Sequence, residues 1–514
     1  MTRRFFIGGS FAFGAFGGCR MFSSSHPSCL RSDANLRFGV ISDVHLLGRN
    51  AAPLDYSDYR GDETVFRQAL EWYRDRGVDA VMIAGDIADY GMVDELKLAM
   101  DVWNDVFPDG RAPDGRKVEK LIVTGNHEVN GFRYDDYARR KYPSDEDFRR
   151  HVLRADLARY WEEFVGEPYE RFSRKEVRGY GFLSTHWGDG ADRAFGYCKK
   201  GNCGEELDAW LQTNGKKKID PNRPFFYFQH AHLKDTCFAP WCFDTDRGRS
   251  TAALSAWPNA VTFAGHAHYS ATDERAIWQG AFTAISVPSL RFVGLPTQQY
   301  GDFGYENSYC NWPSPKERAG EAMKTTDPCR PGGCPQGLLV DVFDDRMVVS
   351  RLAFPSGASL GDDWTVPLTP ERPYSYAARR RKSVAPQFAK DAMVACRRVR
   401  RRTRGENPTV KDAVEIVFPP AVDGGSRVFE YEVSTIGAAG VRKTFNLLAS
   451  GCDRPLADAL AKAENRMSIS VDRLPPDMVR IDVTPKDCWQ NHGQSISAVV
   501  ESFVTKQKQM KGKP

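Results

Sequence analysis

Short apolar segments alternate with amphipathic segments over residues 36–368. An apolar segment of five or six residues bounded by turn residues is typical of a buried strand, whereas apolar residues three and four apart are typical of a helix. The pattern predicts strands over residues 37–41, 79–84, 120–124, 224–228 and 260–264, and a helix over 63–76. Strands that alternate with helices in this way indicate an α/β core.

The pattern changes after residue 367. A basic run at 379–382 is followed by β-type segments at 414–418, 427–433, 467–471 and 479–483. Short strands separated by Pro and Gly turns at this spacing are typical of a β-sandwich. We therefore predict an N-terminal segment over 1–30, an α/β domain over 31–370, a basic linker over 371–385, an all-β sandwich over 386–505 and a tail over 506–514.

Composition and charge exclude several classes of protein. The 514 residues are 41% hydrophobic and 27% charged, which is ordinary for a globular protein and excludes collagen, coiled coils and extended disorder. The net charge of +4 is too small to indicate a polyanion partner. The basic runs at 379–382 and 397–404 lack interleaved aromatic residues, so we expect a linker and a loop there and no specific nucleic-acid binding. No apolar run reaches the roughly 18 residues of a transmembrane helix.

The first residues resemble an export signal. Arg3 and Arg4 form a twin-arginine pair, and an apolar, Gly-rich stretch over 5–18 follows them. We expect the protein to be exported and to be periplasmic, held at the cell surface or secreted. Cys19 lies after this stretch, so a lipid anchor at Cys19 is an alternative to simple cleavage.

Three cysteine pairs are close in sequence and lie in loop-like segments. An oxidising destination favours small disulfide-closed loops within these pairs. Zinc binding is the alternative, although no pair has the CxxC spacing that indicates it strongly. The pairs are Cys198 with Cys203, Cys237 with Cys242, and Cys329 with Cys334.

Residues with metal-binding side chains follow each of the five predicted strands. Ligands of open α/β sheets gather at the carboxyl ends of the strands, so these five loops are expected to converge on one crevice. Imidazole, carboxylate and amide groups together suit zinc, iron or manganese. Two such metals about 3.5 to 4 Å apart are able to clamp a phosphate group. The five motifs are Asp43-Val44-His45, Gly85-Asp86, Gly125-Asn126-His127-Glu128, His230 and Gly265-His266-Ala267-His268.

This ordered set resembles the pattern of the calcineurin-like metallophosphoesterase superfamily: D-x-H, G-D, G-N-H-[DE], a lone H and G-H-x-H. The resemblance implies a four-layer α/β/β/α sandwich with mixed sheets. It also implies hydrolysis of a phosphoester substrate by a hydroxide that bridges two metal ions, with manganese, iron or zinc as the candidate metals. In this resemblance the first metal is held by Asp43, His45 and His268, the second by Asn126, His230 and His266, and Asp86 bridges them.

The resemblance also implies a catalytic role for His127, which would contact the substrate and stabilise the phosphoryl oxygens or protonate the leaving group. Gly85-Asp86-Ile87-Ala88-Asp89 matches the G-D-x-x-D variant of phosphoprotein phosphatases, which makes Asp89 the expected partner of His127, ahead of Glu128. The sequence departs at two positions from the motifs of related phosphatases. Asp89 occupies the position of the tyrosine of purple acid phosphatases, and Tyr90 replaces the phosphate-binding arginine of phosphoprotein phosphatases.

The sequence leaves the substrate open. The same ligands support a monoesterase and a diesterase. A second class of function is a surface-binding protein in which the β-sandwich binds the ligand and the metal core is a vestige. For the other conspicuous histidines and Trp187 we expect structural roles. His232 is expected behind the metal ligands or at the surface, with contact to the substrate as the alternative. His186 and Trp187 are expected to pack in the core, with lining of the pocket as the alternative, and His151 is expected at a solvated helical position.

Overall fold

The computed structural model of the protein describes residues 33–48, 63–130, 135–187, 204–242, 245–291, 293–294, 304–307, 334–402, 409–422, 427–449, 453–455 and 464–500. The predicted export segment with Cys19, the Cys198–Cys203 pair and Cys329 lie outside the described residues.

The part of the chain before residue 370 alternates strands and helices. Its described strands are β1 Leu36–Ile41, β2 Ala80–Ala84, β3 Glu119–Val123, β4 Phe172–Val177, β5 Tyr180–Thr185, β6 Phe225–Gln229, β7 Ala260–Ala264, β8 Ile277–Gln279, β9 Thr283–Ser286, β10 Gln336–Val342, β11 Arg346–Ala353, β12 Ala358–Ser359 and β13 Trp364–Pro367. Its described helices are α1 Thr64–Asp75, α2 Val93–Val106, α3 Asn126–Asn130, α4 Asp135–Lys141, α5 Asp145–His151, α6 Leu157–Val165, α7 Glu205–Trp210, α8 Lys216–Lys218 and α9 Arg249–Leu254. The five strands and the helix predicted for residues 37–264 are present to within two residues at either end.

These strands form two mixed sheets. The first has the order β12-β11-β10-β1-β2-β3, with β13 paired to β11, and the second has the order β4-β5-β6-β7-β9-β8. Strands β1, β2 and β3 are parallel, and so are β5, β6, β7 and β9, whereas β10 pairs with β1 in the antiparallel sense. All five strands that carry the predicted site are thus in the parallel parts of the sheets.

The two sheets pack face to face through alternate residues of their strands. Phe38 of β1 lies edge-on to Phe182, Phe226 and Phe263 of the second sheet, with ring centroids 5.3, 5.0 and 5.8 Å apart. Because successive side chains of a strand point to opposite faces, the alternate residues of the first sheet face its own helices. Ile83 of β2, for example, belongs to an apolar cluster with residues of α1, α2 and α6.

Helices cover the outer face of each sheet, which gives four layers. Tyr73 of α1 closely approaches Gly39 of β1, where a Cβ atom would lie 2.6 Å from the tyrosine ring. On the second sheet, Phe225 packs against Trp257, which follows α9, at a centroid distance of 6.0 Å. This α/β/β/α arrangement is the metallophosphoesterase sandwich that the sequence predicts.

The remaining strands form a separate pair of antiparallel sheets. The described elements are helix α10 Tyr376–Lys382 and strands β14 Ala395–Arg402, β15 Val410–Phe418, β16 Val428–Gly437, β17 Arg442–Leu448, β18 Asn465–Ser470, β19 Met478–Asp487 and β20 Ile496–Val499. Their orders are β14-β15-β18 and β17-β16-β19-β20. Ile416, Tyr431, Val433 and Ile481 are buried together in one apolar cluster, so this region is an all-β sandwich.

Two basic runs have more structure than the sequence predicts. The run at 397–404, expected in a loop, largely forms the edge strand β14, and the run at 379–382, expected in a linker, ends helix α10. Arg397 pairs with Glu415 of β15 at 2.6 Å. Arg379 pairs with Glu274 and lies over the ring of Trp489 at 5.3 Å. These contacts give the arginines local partners, which the one-dimensional charge pattern does not show.

The sandwich packs against the α/β region through polar and aromatic contacts. Tyr305 is fully buried, forms a backbone bridge with Asn446 of β17 and donates a hydrogen bond to Glu430 of β16 at 2.6 Å. The guanidinium of Arg275 lies over the ring of Phe429 at 4.6 Å. The two regions therefore share a buried interface.

Candidate metal centre

Asp43, His45 and His268 form the first group of possible ligands. Oδ1 of Asp43 lies 3.0 Å from Nε2 of His268, and Nε2 of His45 lies 3.2 Å from the same nitrogen. All three residues are buried. They follow strands β1 and β7, which lie in different sheets, so this group joins the two sheets at the carboxyl ends of their strands.

Asp86, His230 and His266 form the second group, and Asn126 accompanies them from the end of β3. Nε2 of His230 lies 3.0 Å from Oδ2 of Asp86 and 3.2 Å from Nδ1 of His266. Oδ1 of Asn126 is buried and has no hydrogen-bond partner among the described residues. A buried acceptor without a donor is unfavourable unless a cation or water satisfies it.

Asp86 lies between the two groups. Its Oδ2 is 3.9 Å from Nε2 of His45 in the first group and 3.0 Å from Nε2 of His230 in the second. The structure thus brings together all seven of the residues that the sequence nominates as metal ligands, and it places Asp86 where a bridging carboxylate is expected.

Hydrogen bonds to the outer ring nitrogens fix the tautomers of two histidines. Nδ1 of His45 donates to Oδ1 of Asp89 at 3.0 Å, and Nδ1 of His230 donates to the carbonyl of Ala84 at 2.7 Å. Because the acceptors are oxygens, Nδ1 carries the proton in each ring, and Nε2 is the atom directed at the carboxylates and the other imidazoles. This is how metal-binding histidines are commonly oriented.

Buried charge favours a cation in this centre. Burial by itself would raise the pKa of Asp86, but the charges of His230 and His127 hold that pKa well below its usual range. Burial lowers the pKa of His230, yet the Asp86 and Asp43 carboxylates outweigh it and raise that pKa to about 9. Burial and the charge of His127 lower the pKa of His45 to about 4. Ionised carboxylates, a neutral imidazole and the unpaired Asn126 oxygen together suit divalent metal ions.

The backbone is strained at five of the seven positions. Each of the five has a positive φ, between 48° and 72°, which residues other than glycine rarely adopt. Such outliers persist only where the surrounding structure holds them, and they cluster at functional sites. The five are Asp43, His45, Asp86, His266 and His268.

A glycine precedes three of the seven ligands, and each of these glycines makes room for a ligand from another loop. A Cβ atom at Gly85 would lie 2.5 Å from Nδ1 of His230, and one at Gly125 would lie 2.1 Å from Oδ1 of Asp86. At Gly265 it would lie 2.8 Å from Oδ2 of Asp43. The Gly-Asp, Gly-Asn and Gly-His pairs of the sequence are therefore steric requirements of a centre in which the loops pack tightly.

His127 and Asp89 lie in contact, through the main chain of Asp89. The carboxylate of Asp89 binds Nδ1 of His45 and lies 3.0 Å from Nη1 of Arg291, while Nδ1 of His127 donates to the backbone carbonyl of Asp89. Asp89 thus holds His127 through its main chain and His45 through its side chain. Glu128 accepts hydrogen bonds from the amides of Ala88 and Gly125, so it fixes the loops.

Arg291 is a residue of this centre that the sequence interpretation missed. Its side chain is 8% exposed, and Nη1 also donates to the carbonyl of His45 at 2.6 Å. Nearby, Ser289 donates to the carbonyl of Asp43 at 3.1 Å. Both residues follow β9, a sixth strand ending at the same edge, so the short apolar run at 283–286 was the available signal.

The other conspicuous histidines have structural contacts. His186 accepts a hydrogen bond from the amide of Thr124 at 3.0 Å, and burial lowers its pKa to about 3. His232 lies 3.3 Å from the hydroxyl of Ser286, and His151 stacks on Tyr142 at 4.4 Å. Trp187 differs from these, since its ring packs against His230 and His266.

Cys237 is a free thiol, so the disulfide expected between it and Cys242 is not formed in the structure. Cys237 is buried and its thiol donates to the carbonyl of Ala276 at 3.3 Å. Burial raises the pKa of both thiols. Within the described residues, the groups able to hold a metal ion contain no cysteine. Nothing there supports the alternative that the cysteine pairs bind zinc.

Two facing mixed sheets with these ligand groups at the carboxyl ends of their strands are the arrangement of the metallophosphoesterase class. Residues 36–270 match the family model of the calcineurin-like phosphoesterases. This region contains all nine predicted site residues. No helix in the described part of the chain is both long and apolar enough to span a membrane.

The solved structures that match the chain are distant in sequence. A predicted phosphoesterase from Streptococcus pneumoniae TIGR4 is 13% identical, with 64% of this chain and 97% of that chain covered and a TM-score of 0.24. PhoD is 11% identical, with 66% and 67% covered and a TM-score of 0.36. Vps29 from Entamoeba histolytica, solved with Zn²⁺, is 11% identical, with 65% and 100% covered and a TM-score of 0.26. No curated protein matches the chain.

The contacts of Asp89 lead to a prediction. In an Asp89→Asn variant the carboxylate charge beside Arg291 and His45 is lost, so we expect metal affinity or turnover to fall by about 10- to 100-fold. The main-chain contact with His127 remains. Metal titration and steady-state kinetics measure the two effects, with Asp246→Asn as a buried control outside the centre. Unchanged metal affinity and turnover in Asp89→Asn would contradict the proposed positioning role.

Proposed function

We propose that the chain is a dinuclear metal-dependent phosphoesterase that hydrolyses a phosphomonoester or phosphodiester. The observation that carries this proposal is the pairing of ring nitrogens at 3.2 Å, once between His45 and His268 and once between His230 and His266. Two ring nitrogens at this distance form a hydrogen bond when one of them carries a proton, and a metal ion that displaced this proton would have both nitrogens as ligands. Each pair has a carboxylate oxygen within 3.0 Å, from Asp43 and Asp86 respectively.

Bound metal ions would polarise the phosphoryl group and generate the hydroxide that attacks it. Mn, Fe and Zn are the proposed metals, because all three accept mixed imidazole and carboxylate ligands. The residues of the chain orient these ions: Asp43, His45 and His268 would hold one, Asn126, His230 and His266 the other, and Asp86 would contact both.

His127 is the proposed general acid. Because Nδ1 donates to the carbonyl of Asp89, the ring is fixed in one orientation and Nε2 lies 3.8 Å from Oδ2 of Asp86. The side chain is 10% exposed, so this nitrogen lies at the edge of the buried centre. A proton held at Nε2 is positioned for transfer to the leaving oxygen of the ester.

The test is hydrolysis of p-nitrophenyl phosphate and of bis-p-nitrophenyl phosphate by the metal-loaded protein. We expect metal-dependent turnover of one ester, and His127→Ala should lower it by about 10²- to 10⁴-fold while two metals remain bound. Preference for one ester distinguishes a monoesterase from a diesterase. Failure to bind metal would favour the alternative, a surface-binding protein with a vestigial metal core.

We also propose that the protein is exported by its twin-arginine segment. Support comes from the Arg3-Arg4 pair and the apolar stretch that follows. Replacing both arginines with lysine should retain the full-length protein in the cytoplasm, whereas the unaltered protein should be found outside it. Cell fractionation with an antibody to the folded domain measures the difference, and an equal distribution of the two forms would contradict export by this route.

A further inference from the structure

Trp187 lies against the second group of ligands. It follows β5, and its amide donates to the carbonyl of Thr124 at 3.2 Å, next to the loop that presents Asn126. The indole centroid is 5.6 Å from that of His230 and 5.3 Å from that of His266. The ring therefore forms one wall of the metal centre.

The indole N–H of Trp187 is an unsatisfied donor. The residue is 6% exposed, and Nε1 is buried with no hydrogen-bond partner among the described residues. Packing on two imidazoles explains why the ring is buried, but it does not explain an unpaired N–H, because buried donors are almost always paired. Trp364 shows the usual case: it is 2% exposed, and its Nε1 donates to Glu274 at 3.4 Å.

The indole N–H of Trp187 is a hydrogen-bond donor, and this role indicates what it binds. The orphan oxygen of Asn126 is an acceptor, which a metal ion satisfies, whereas an indole N–H is a donor and needs an oxygen or an anion. The carboxylates of the centre already have partners: Asp86 accepts from the amide of His127 at 3.0 Å, and Asp43 accepts from the amide of His266 at 3.0 Å. The missing acceptor is therefore a group that arrives with a ligand.

We propose that Trp187 is a substrate-contacting residue whose indole N–H donates a hydrogen bond to a phosphoryl oxygen bound in the metal centre. The proposal rests on the proposed function, because it requires a phosphate group at this position. It assigns to Trp187 the discrimination of a tetrahedral oxyanion from other metal-binding molecules. A neutral donor of this kind complements His127, which offers a proton to the leaving oxygen.

The experiment removes the indole N–H and keeps an aromatic ring at position 187. Trp187 is replaced by phenylalanine and, separately, by 3-benzothienylalanine, an isostere with sulfur in place of the N–H group. Binding of inorganic phosphate to the metal-loaded protein is measured by calorimetry, and metal content is measured on the same samples. We expect two metals in each variant and a phosphate dissociation constant raised about tenfold or more, the usual effect of losing a hydrogen bond to a charged group. Trp364→Phe is the matched control and should leave the constant unchanged within about twofold.

Phosphate binding and ester hydrolysis separate the two proposals. If the isostere weakens phosphate binding but the unaltered protein hydrolyses no ester, the contact stands and the hydrolase proposal fails. If the unaltered protein hydrolyses esters while the isostere binds phosphate equally well, the assignment of Trp187 is wrong and the hydrolase proposal stands. A metal-loaded protein that binds no phosphate also overturns the assignment. The isostere retains the volume and shape of the ring, so it tests the contact even if Trp187→Phe does not fold.

Discussion

Asp86→Asn should abolish metal-dependent hydrolysis, with a loss of about a thousandfold or more in kcat/KM. Asp86 contacts both ligand groups, with Oδ2 lying 3.0 Å from His230 and 3.9 Å from His45. An amide has nearly the same shape but carries no charge, so it cannot neutralise two cations. We therefore expect fewer than two metals per chain, measured by elemental analysis, together with the loss of turnover.

A second measurement on Asp86→Asn does not depend on activity. The Asp86 carboxylate is the main cause of the raised pKa of His230, which is about 9 despite the opposing effect of burial. Removing the charge should lower this pKa, which NMR titration of the metal-stripped protein detects. Asp79→Asn is the control, because Asp79 is a buried carboxylate immediately before the same strand, at its opposite end. An Asp86→Asn variant that keeps two metals and full turnover would exclude the bridging role.

The hydrophobic pattern predicts the α/β core well because the five strands that carry the site are buried on both faces. Continuous apolar runs such as Ala80–Ala84 need no tertiary information to be recognised as strands. Their order in the chain also places the five motifs at one edge, since parallel strands end on the same side. The convergence of the seven predicted ligands follows from these two facts.

The hydrophobic pattern fails where pairing or packing, and not periodicity, determines the structure. Strand β14 contains five arginines, so its sequence has no alternating apolar pattern that would indicate a strand. It is recognised as a strand only by its pairing with β15. The contacts of Asp89 are a second case. The sequence motif gives the residue its place beside His127, but the carboxylate binds His45 and Arg291, and Arg291 is 202 positions further along the chain.

The glycines of the motifs are predicted in part. The sequence shows their positions, but it does not show which side chains pack against them. Gly85 has a φ of +91°, and a Cβ atom there would lie 2.5 Å from Nδ1 and 2.7 Å from Cγ of His230. His230 cannot easily move away, because its Nδ1 is hydrogen-bonded to the carbonyl of Ala84 at 2.7 Å. A methyl group at position 85 must therefore displace either the ligand or the end of β2.

We expect Gly85→Ala to lower the free energy of unfolding by about 2–4 kcal/mol, from backbone strain and overpacking together. We also expect it to weaken metal binding by at least about tenfold, because His230 is displaced. Gly115→Ala is the matched control: its φ is +82°, and no atom lies within 4 Å of the added Cβ position. That variant should show the backbone strain alone, at about 1 kcal/mol, with unchanged metal binding. Chemical denaturation and metal titration of both variants separate strain from contact. Equal effects in the two would mean that Gly85 is required for its backbone conformation only, and not to make room for His230.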